Sequence, residues 1–216
     1  MKKLCIFDLD GTLLDSIMAI AITSNLTLKD YGIAPIESKV YKKLVGEGVG
    51  KLVENFLEYR CAGSRVPYEE ALQRYHRYFE VHCMDEIKPY PGILSLLERL
   101  KAQGMKLAVL SNKTHARTVE NVEGVFGKGY FDSIQGETDL WPRKPDPTGA
   151  QKSAERLGFS PEECIYIGDT AVDMQTGLSA GMTTVGVLWG FREKAELAAC
   201  NPHHLIAEPE ELLALI

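Results

Sequence analysis

A chain of 216 residues is long enough for one large domain or for a domain carrying an inserted module. With 45% hydrophobic and 25% charged residues it has the ordinary composition of a soluble globular protein. The formal net charge of −6 argues against a broad basic surface for nucleic acid, while a local cationic pocket stays open.

Cys5, Cys61, Cys83, Cys164 and Cys200 are scattered, odd in number and without a C-x-x-C pair, so they read as reduced thiols rather than a disulfide framework or zinc site. The opening Met1-Lys2-Lys3 resembles the start of a signal peptide, but Asp8 and Asp10 break any apolar core at once. No apolar run approaches the roughly 20 residues of a membrane span. A cytoplasmic protein with no membrane and no nucleic-acid partner is expected; oligomeric state is not legible.

Leu4 to Phe7 is a continuous apolar run and predicts a short buried strand. It stops at Asp8-Leu9-Asp10-Gly11-Thr12. In extended backbone the i and i+2 side chains share one side, so Asp8 and Asp10 face common space beyond the strand's carboxyl end. Gly11 permits a sharp turn, and Thr12 adds a hydroxyl and an N–H. Two close carboxylates repel unless a cation or shared proton relieves them, which points to a metal. Asp and Gly are also common wherever a strand ends, so in isolation the same residues read equally as turn chemistry.

Asp15 or Ser16 caps a predicted helix from about Ile17 to Tyr31, stopped by Gly32. Helical spacing continues over Ser38–Leu44, Lys51–Tyr59 and, opened by Pro67, to about His82. Tyr75, Tyr78 and Phe79 on the last of these read as core. No convincing strand lies between Ser16 and Met84. Pro89-Tyr90-Pro91-Gly92 marks a boundary, after which short strands alternate with helices. Strands are predicted at Lys106–Leu110, Tyr130–Gln135, Cys164–Ile167, Thr183–Val187 and weakly at His204–Ile206. Helices are predicted at Ile93–Gln103, Thr114–Val125, Pro147–Leu157, Asp173–Ala180 and Pro209–Leu215. This alternation predicts an α/β fold with a parallel sheet and right-handed crossovers.

Four places carry polar residues where apolar runs stop or a proline stiffens a loop: Asp8 and Asp10; Ser111-Asn112-Lys113; Lys144-Pro145-Asp146-Pro147; and Gly168-Asp169-Thr170 with Asp173. The carboxyl ends of parallel strands lie along one edge, so these groups are expected to converge. Carboxylates for a divalent cation, a hydroxyl and a lysine are what holding and transferring a phosphoryl group requires. Hard oxygen ligands favour magnesium over zinc.

In order and spacing these segments resemble the four motifs of the haloacid dehalogenase superfamily, across nearly the whole chain. Within it, Phe7 to Leu13, Val45-Gly46-x-Gly48, Pro89 to Gly92, Asn112-Lys113 and Ala180-Gly181-Met182 look most like phosphoglycolate phosphatases. The resemblance implies a Rossmann-like core of residues 1–14 and 85–216 with an inserted helical cap at 15–84. It makes Asp8 the nucleophile that accepts the phosphoryl group and Asp10 the acid and then the base. Ser111 and Lys144, with N–H groups near Thr12 and Asn112, would hold the phosphate oxygens. Mg2+ would sit between Asp8, the Asp10 carbonyl and Asp169, with Asp173 as a further ligand or orienting group and Gly11 shaping the turn. The implied activity is hydrolysis of a small phosphorylated metabolite. Alternatives on the same scaffold are a pyrophosphatase, a nucleotidase or sugar-phosphate phosphatase, a β-phosphoglucomutase-type mutase, and a silent phosphate-binding regulator. Mutases of the family usually carry an arginine where this chain has Gly46 to Lys51, which counts against that reading.

Taken singly, each residue also has a plainer role. Ser111-Asn112 could cap a helix, Lys144 could be a solvated charge, and Asp173 could cap the helix it begins. Lys113 and His115 fit a surface helix as well as a site. His203-His204 lacks ligand spacing around it. Trp189-Gly190-Phe191-Arg192 follows a strand at the presumed site edge and is a weak candidate for a nearby loop.

Overall fold

The structure, a computed structural model, describes all 216 residues. In chain order it contains β1 (Leu4–Phe7), β2 (Leu14–Asp15), α1 (Ile17–Lys29), α2 (Ser38–Leu44), α3 (Val49–Tyr59), α4 (Tyr68–His82), β3 (Lys88–Pro89), α5 (Ile93–Ala102), β4 (Lys106–Thr114), α6 (His115–Phe126), β5 (Ser133–Glu137), α7 (Thr148–Leu157), β6 (Cys164–Gly168), α8 (Ala171–Ser179), β7 (Thr183–Val187), α9 (Lys194–Ala199) and β8 (His204–Ile206). Two compact units result: Met1–Asp15 with Pro89–Ile216, and Ser16–Lys88. No helix is long and apolar enough to cross a membrane.

The first unit is an α/β, Rossmann-like fold built on a six-stranded sheet in the order β5-β4-β1-β6-β7-β8. Every pairing in it is parallel. The chain works outward from β1 through β4 to β5, then crosses to the other side with β6, β7 and β8. The order reverses at β1, and ligands bind beyond the strand carboxyl ends at such a switch point. β1 is central and covered on both faces, which is why Leu4, Cys5, Ile6 and Phe7 form an unbroken apolar run. On one face Leu4 and Ile6 join Ala108, Leu110, Cys164 and Tyr166 in a cluster closed by Ala150 and Ala154 of α7. Each fully buried Leu or Ile there contributes about 1.5–3 kcal/mol.

Several boundaries move from the sequence reading. β4 continues to Thr114 rather than ending at Leu110, because Ser111–Thr114 stays extended; its register with β5 shifts between Leu110 and Thr114. Such irregularities re-aim side chains, and this one carries Ser111, Asn112 and Lys113. α8 starts at Ala171, since Thr170 rather than Asp173 is its N-cap. Residues 209–215 are 3-10 rather than α-helical. α9, six residues long, is too short to show a helical period in the sequence.

The second unit contains α1 to α4. Tyr75 and Phe79 stack with ring centroids 5.5 Å apart, both buried. Tyr78 departs from the expected core role: it is half-buried and its hydroxyl donates to Asp30 at 2.9 Å. The Asn25 side chain donates to Ile36 O at 2.9 Å and accepts from Ile36 N at 2.8 Å, pinning the loop after α1.

Candidate active site

The site forms where β1, β4 and β6 end. Asp8 follows β1 directly, its backbone N–H still bonded to Ile167 O at 2.8 Å. Asp169 and Asp173 come from the end of β6 and the first turn of α8. Carboxylate oxygens of Asp8, Asp169 and Asp173 all lie within 4.8 Å of one another, and all three residues are buried. Lys144 is the one ammonium among them, its side chain 5% exposed, with Nζ 2.5 Å from Asp8 Oδ1 and 2.7 Å from Asp173 Oδ1.

Electrostatics follow from that burial. Loss of water pushes the Asp8 carboxyl well above the usual carboxylate range; Lys144 opposes this, while Asp173 and Asp169 reinforce it. Asp169 is pushed up to about 7, by burial first and by Asp173 second. Burial acts to strip the Lys144 proton, but Asp173 and Asp8 outweigh it and hold the ammonium well above its ordinary value. One ammonium against three carboxyl groups in a buried, oxygen-lined space leaves negative charge that only bound protons or a further cation can relieve. That donor set fits a hard divalent cation.

The supporting contacts separate the sequence candidates by role. The Thr12 hydroxyl is fully buried and donates to Asp169 Oδ1 at 3.2 Å, which orients that carboxylate. The Asn112 side chain clamps the backbone of Lys144: Nδ2 donates to Lys144 O at 3.0 Å and Oδ1 accepts from Lys144 N at 2.9 Å. Both side chains are thus engaged within the fold, and the expectation at Thr12 and Asn112 concerned their backbone N–H groups. The Ser111 hydroxyl accepts from Lys113 N at 3.2 Å. Asp173 is the N3 partner of a capping box, with Oδ2 accepting from Thr170 Oγ1 at 2.6 Å and Thr170 N at 3.1 Å. With Oδ1 on Lys144, its carboxylate orients that lysine and closes the helix end together. Asp10 stands apart from the carboxylate trio. Its Oδ1 accepts from Lys113 Nζ at 2.8 Å.

Two features were only faintly legible. Gly11 has φ +94°, and a Cβ there would sit 2.3 Å from Asp169 Oδ2, so glycine is required twice over. Beyond β7, Trp189 Nε1 donates to Thr12 O at 3.0 Å and Phe191 N to Asp169 Oδ2 at 2.8 Å. Between them a Cβ on Gly190 would lie 2.4 Å from Gly11 O and from Asp169 Cβ. The loop weakly singled out in the sequence is thus the backing of Asp169. His115 and His203 have local partners: His115 Nδ1 accepts from Gly136 N, and His203 Nδ1 accepts from Thr184 N.

Residues 5–187 match the model of the family described as haloacid dehalogenase-like hydrolase. The chain belongs to that family. A phosphoglycolate phosphatase of Aquifex aeolicus is 34% identical over 214 residues, covering 99% of this chain and 96% of the relative. Among solved structures, a candidate phosphoglycolate phosphatase from Lactobacillus delbrueckii subsp. bulgaricus superposes with TM-score 0.91 at 31% identity, covering 98% of this chain and 97% of that one. A haloacid dehalogenase-like hydrolase from Streptococcus pneumoniae gives TM-score 0.86 at 26% identity, with 99% and 98% covered. This haloacid dehalogenase-like protein is accordingly an enzyme of the hydrolase class, with a buried acidic trio suited to a divalent cation.

Proposed function

We propose that this hydrolase cleaves the phosphate ester of a small metabolite through an aspartyl-phosphate on Asp8, with Mg2+ as its resident cation and 2-phosphoglycolate as its substrate. The observation that carries the reading is the Asp8 carboxylate at the end of the central strand, held by Lys144 beside Asp169 and Asp173. The names of the curated relatives support the choice of substrate. Residues 1–14 and 85–216 serve as the catalytic core and 15–84 as the cap.

When bound, the cation offsets negative charge on the transferring phosphoryl group; Asp8, the Asp10 carbonyl and Asp169 would hold it. Asp8 attacks phosphorus through a carboxylate oxygen. The bond from phosphorus to the ester oxygen breaks, and that oxygen keeps the electron pair and takes a proton from Asp10. Water then attacks the Asp8-bound phosphorus and gives its proton to Asp10, and the electron pair of the breaking bond returns to the Asp8 carboxylate. Ser111 and Lys144, with the N–H groups near Thr12 and Asn112, hold the non-reacting phosphate oxygens.

The test is phosphate release from 2-phosphoglycolate with Mg2+ and with EDTA, beside a panel of sugar phosphates, nucleotides and pyrophosphate. Magnesium-dependent release with strong preference for phosphoglycolate is expected. Preference for pyrophosphate, or isomerised sugar phosphate without free phosphate, would overturn the substrate assignment. Wild-type turnover retained by Asp8→Asn would overturn the mechanism.

A further inference from the structure

We propose that Lys113 is a positioning residue that aims the Asp10 carboxylate, with Asn121 holding the lysine in turn; this rests on the acid–base role given to Asp10 above. Lys113 Nζ lies 2.8 Å from Asp10 Oδ1 and 2.6 Å from Asn121 Oδ1. The Lys113 side chain is only 8% exposed, against 20% for Asp10, and Asn121 is fully buried in α6. A lysine so enclosed gives up hydration and rotamer freedom, so it stays only where its partners fix it.

The consequence is geometric. A group that gives a proton and later takes one must present the same oxygen to the leaving group and to the attacking water. With Oδ1 accepting from Lys113, the transferable proton belongs on Oδ2. The Oδ1 contact survives both states, since that oxygen accepts whether or not Oδ2 is protonated. Lys113 itself sits at the irregular end of β4, where the register shift redirects side chains, and Asn121 is two turns along α6. The link therefore couples the acid–base group, in the turn after β1, to α6.

The leaving group separates this role from its rivals. An alkoxide needs a proton as the ester bond breaks, whereas 2,4-dinitrophenolate departs without one. In Lys113→Met, kcat/KM for 2-phosphoglycolate should fall about 100-fold, the lower end of what a positioned acid supplies, while kcat/KM for 2,4-dinitrophenyl phosphate stays within about threefold of wild type. Asn121→Leu should show the same asymmetry, more weakly. In an Asp10→Asn background, Lys113→Met should cost nothing further on either ester. Equal losses on both esters would mean that Lys113 binds phosphate or supports the fold, and would overturn the inference, as would an additive loss in the Asp10→Asn background. Should Lys113→Met fail to fold, the Asn121→Leu asymmetry decides the question in its place. A wild-type enzyme inactive on both esters would overturn the phosphatase reading itself, and this inference with it.

Discussion

Replacing Lys144 by Met tests the electrostatics on which the site depends. Lys144 Nζ lies 2.5 Å from Asp8 Oδ1 and 2.7 Å from Asp173 Oδ1. At an effective dielectric constant near 20, each contact represents a gross attraction of about 6 kcal/mol. Desolvation of the three ions consumes most of that, so the pair itself adds little net stability. Removing one partner is different, because the carboxylates stay buried without their cation, and such losses run about 3–5 kcal/mol. Against a typical total of about 5–15 kcal/mol this is a large fraction.

Urea unfolding in EDTA at pH 7 should therefore show Lys144→Met destabilised by about 3–5 kcal/mol. Divalent cation should recover part of the loss and stabilise the variant more than the wild type, since the surplus negative charge has grown. The pH dependence has a definite sign. Asp169 is pushed up to about 7 in the folded protein, from about 3.9 unfolded, so the cation-free folded state binds the extra proton between those values. Stability should fall as pH rises from about 4 through about 7, and more steeply in Lys144→Met, where Asp8 has also lost the group that opposes its upward shift. A loss below about 1 kcal/mol in EDTA, unaffected by cation, would refute the reasoning.

Asp8→Asn should abolish turnover by at least about 1,000-fold while leaving cation-free stability equal or higher, because it removes a buried charge; circular dichroism and urea unfolding check the fold beside the phosphate assay. Gly190→Ala places a methyl against Asp169 Cβ and Gly11 O, and should cost about 1–3 kcal/mol and weaken Mg2+ binding by calorimetry; unchanged affinity would show that the loop does not set the Asp169 position. In the second unit, hydrogen bonds from Arg74 and Tyr78 hold the Asp30 carboxyl below the usual range. A depressed acid contributes above its unfolded pKa of about 3.9 and loses that contribution as pH falls through its folded value. Asp30→Asn should lower stability by up to about 1 kcal/mol at pH 7 and by less at pH 3, and a cost that is the same at both pH values would contradict the assignment.

The sequence by itself determined the α/β alternation, the central buried strand and the identity of the chemical groups. Those signals are local: an apolar run that stops at Asp8, turn residues that end helices, and acids or a lysine placed at strand ends. It also showed no strand pattern from Ser16 to Met84, a stretch whose helices are α1 to α4. It could not order the strands, and that order brings Asp8, Lys144, Asp169 and Asp173 together from positions far apart in the chain. Nor could spacing reveal which atoms were already engaged. The N–H groups near Thr12 and Asn112 were assigned to phosphate, but spacing said nothing of what their side chains bond to, and buried polar groups bond to whatever the fold brings near, here Asp169 and the backbone of Lys144. Lys113 is the opposite case. Its sequence fits a solvated helix end equally well, and only the irregular end of β4 turns its ammonium inward onto Asp10. Residue type fixes what a side chain can do; the packing around it decides which partner it does it with.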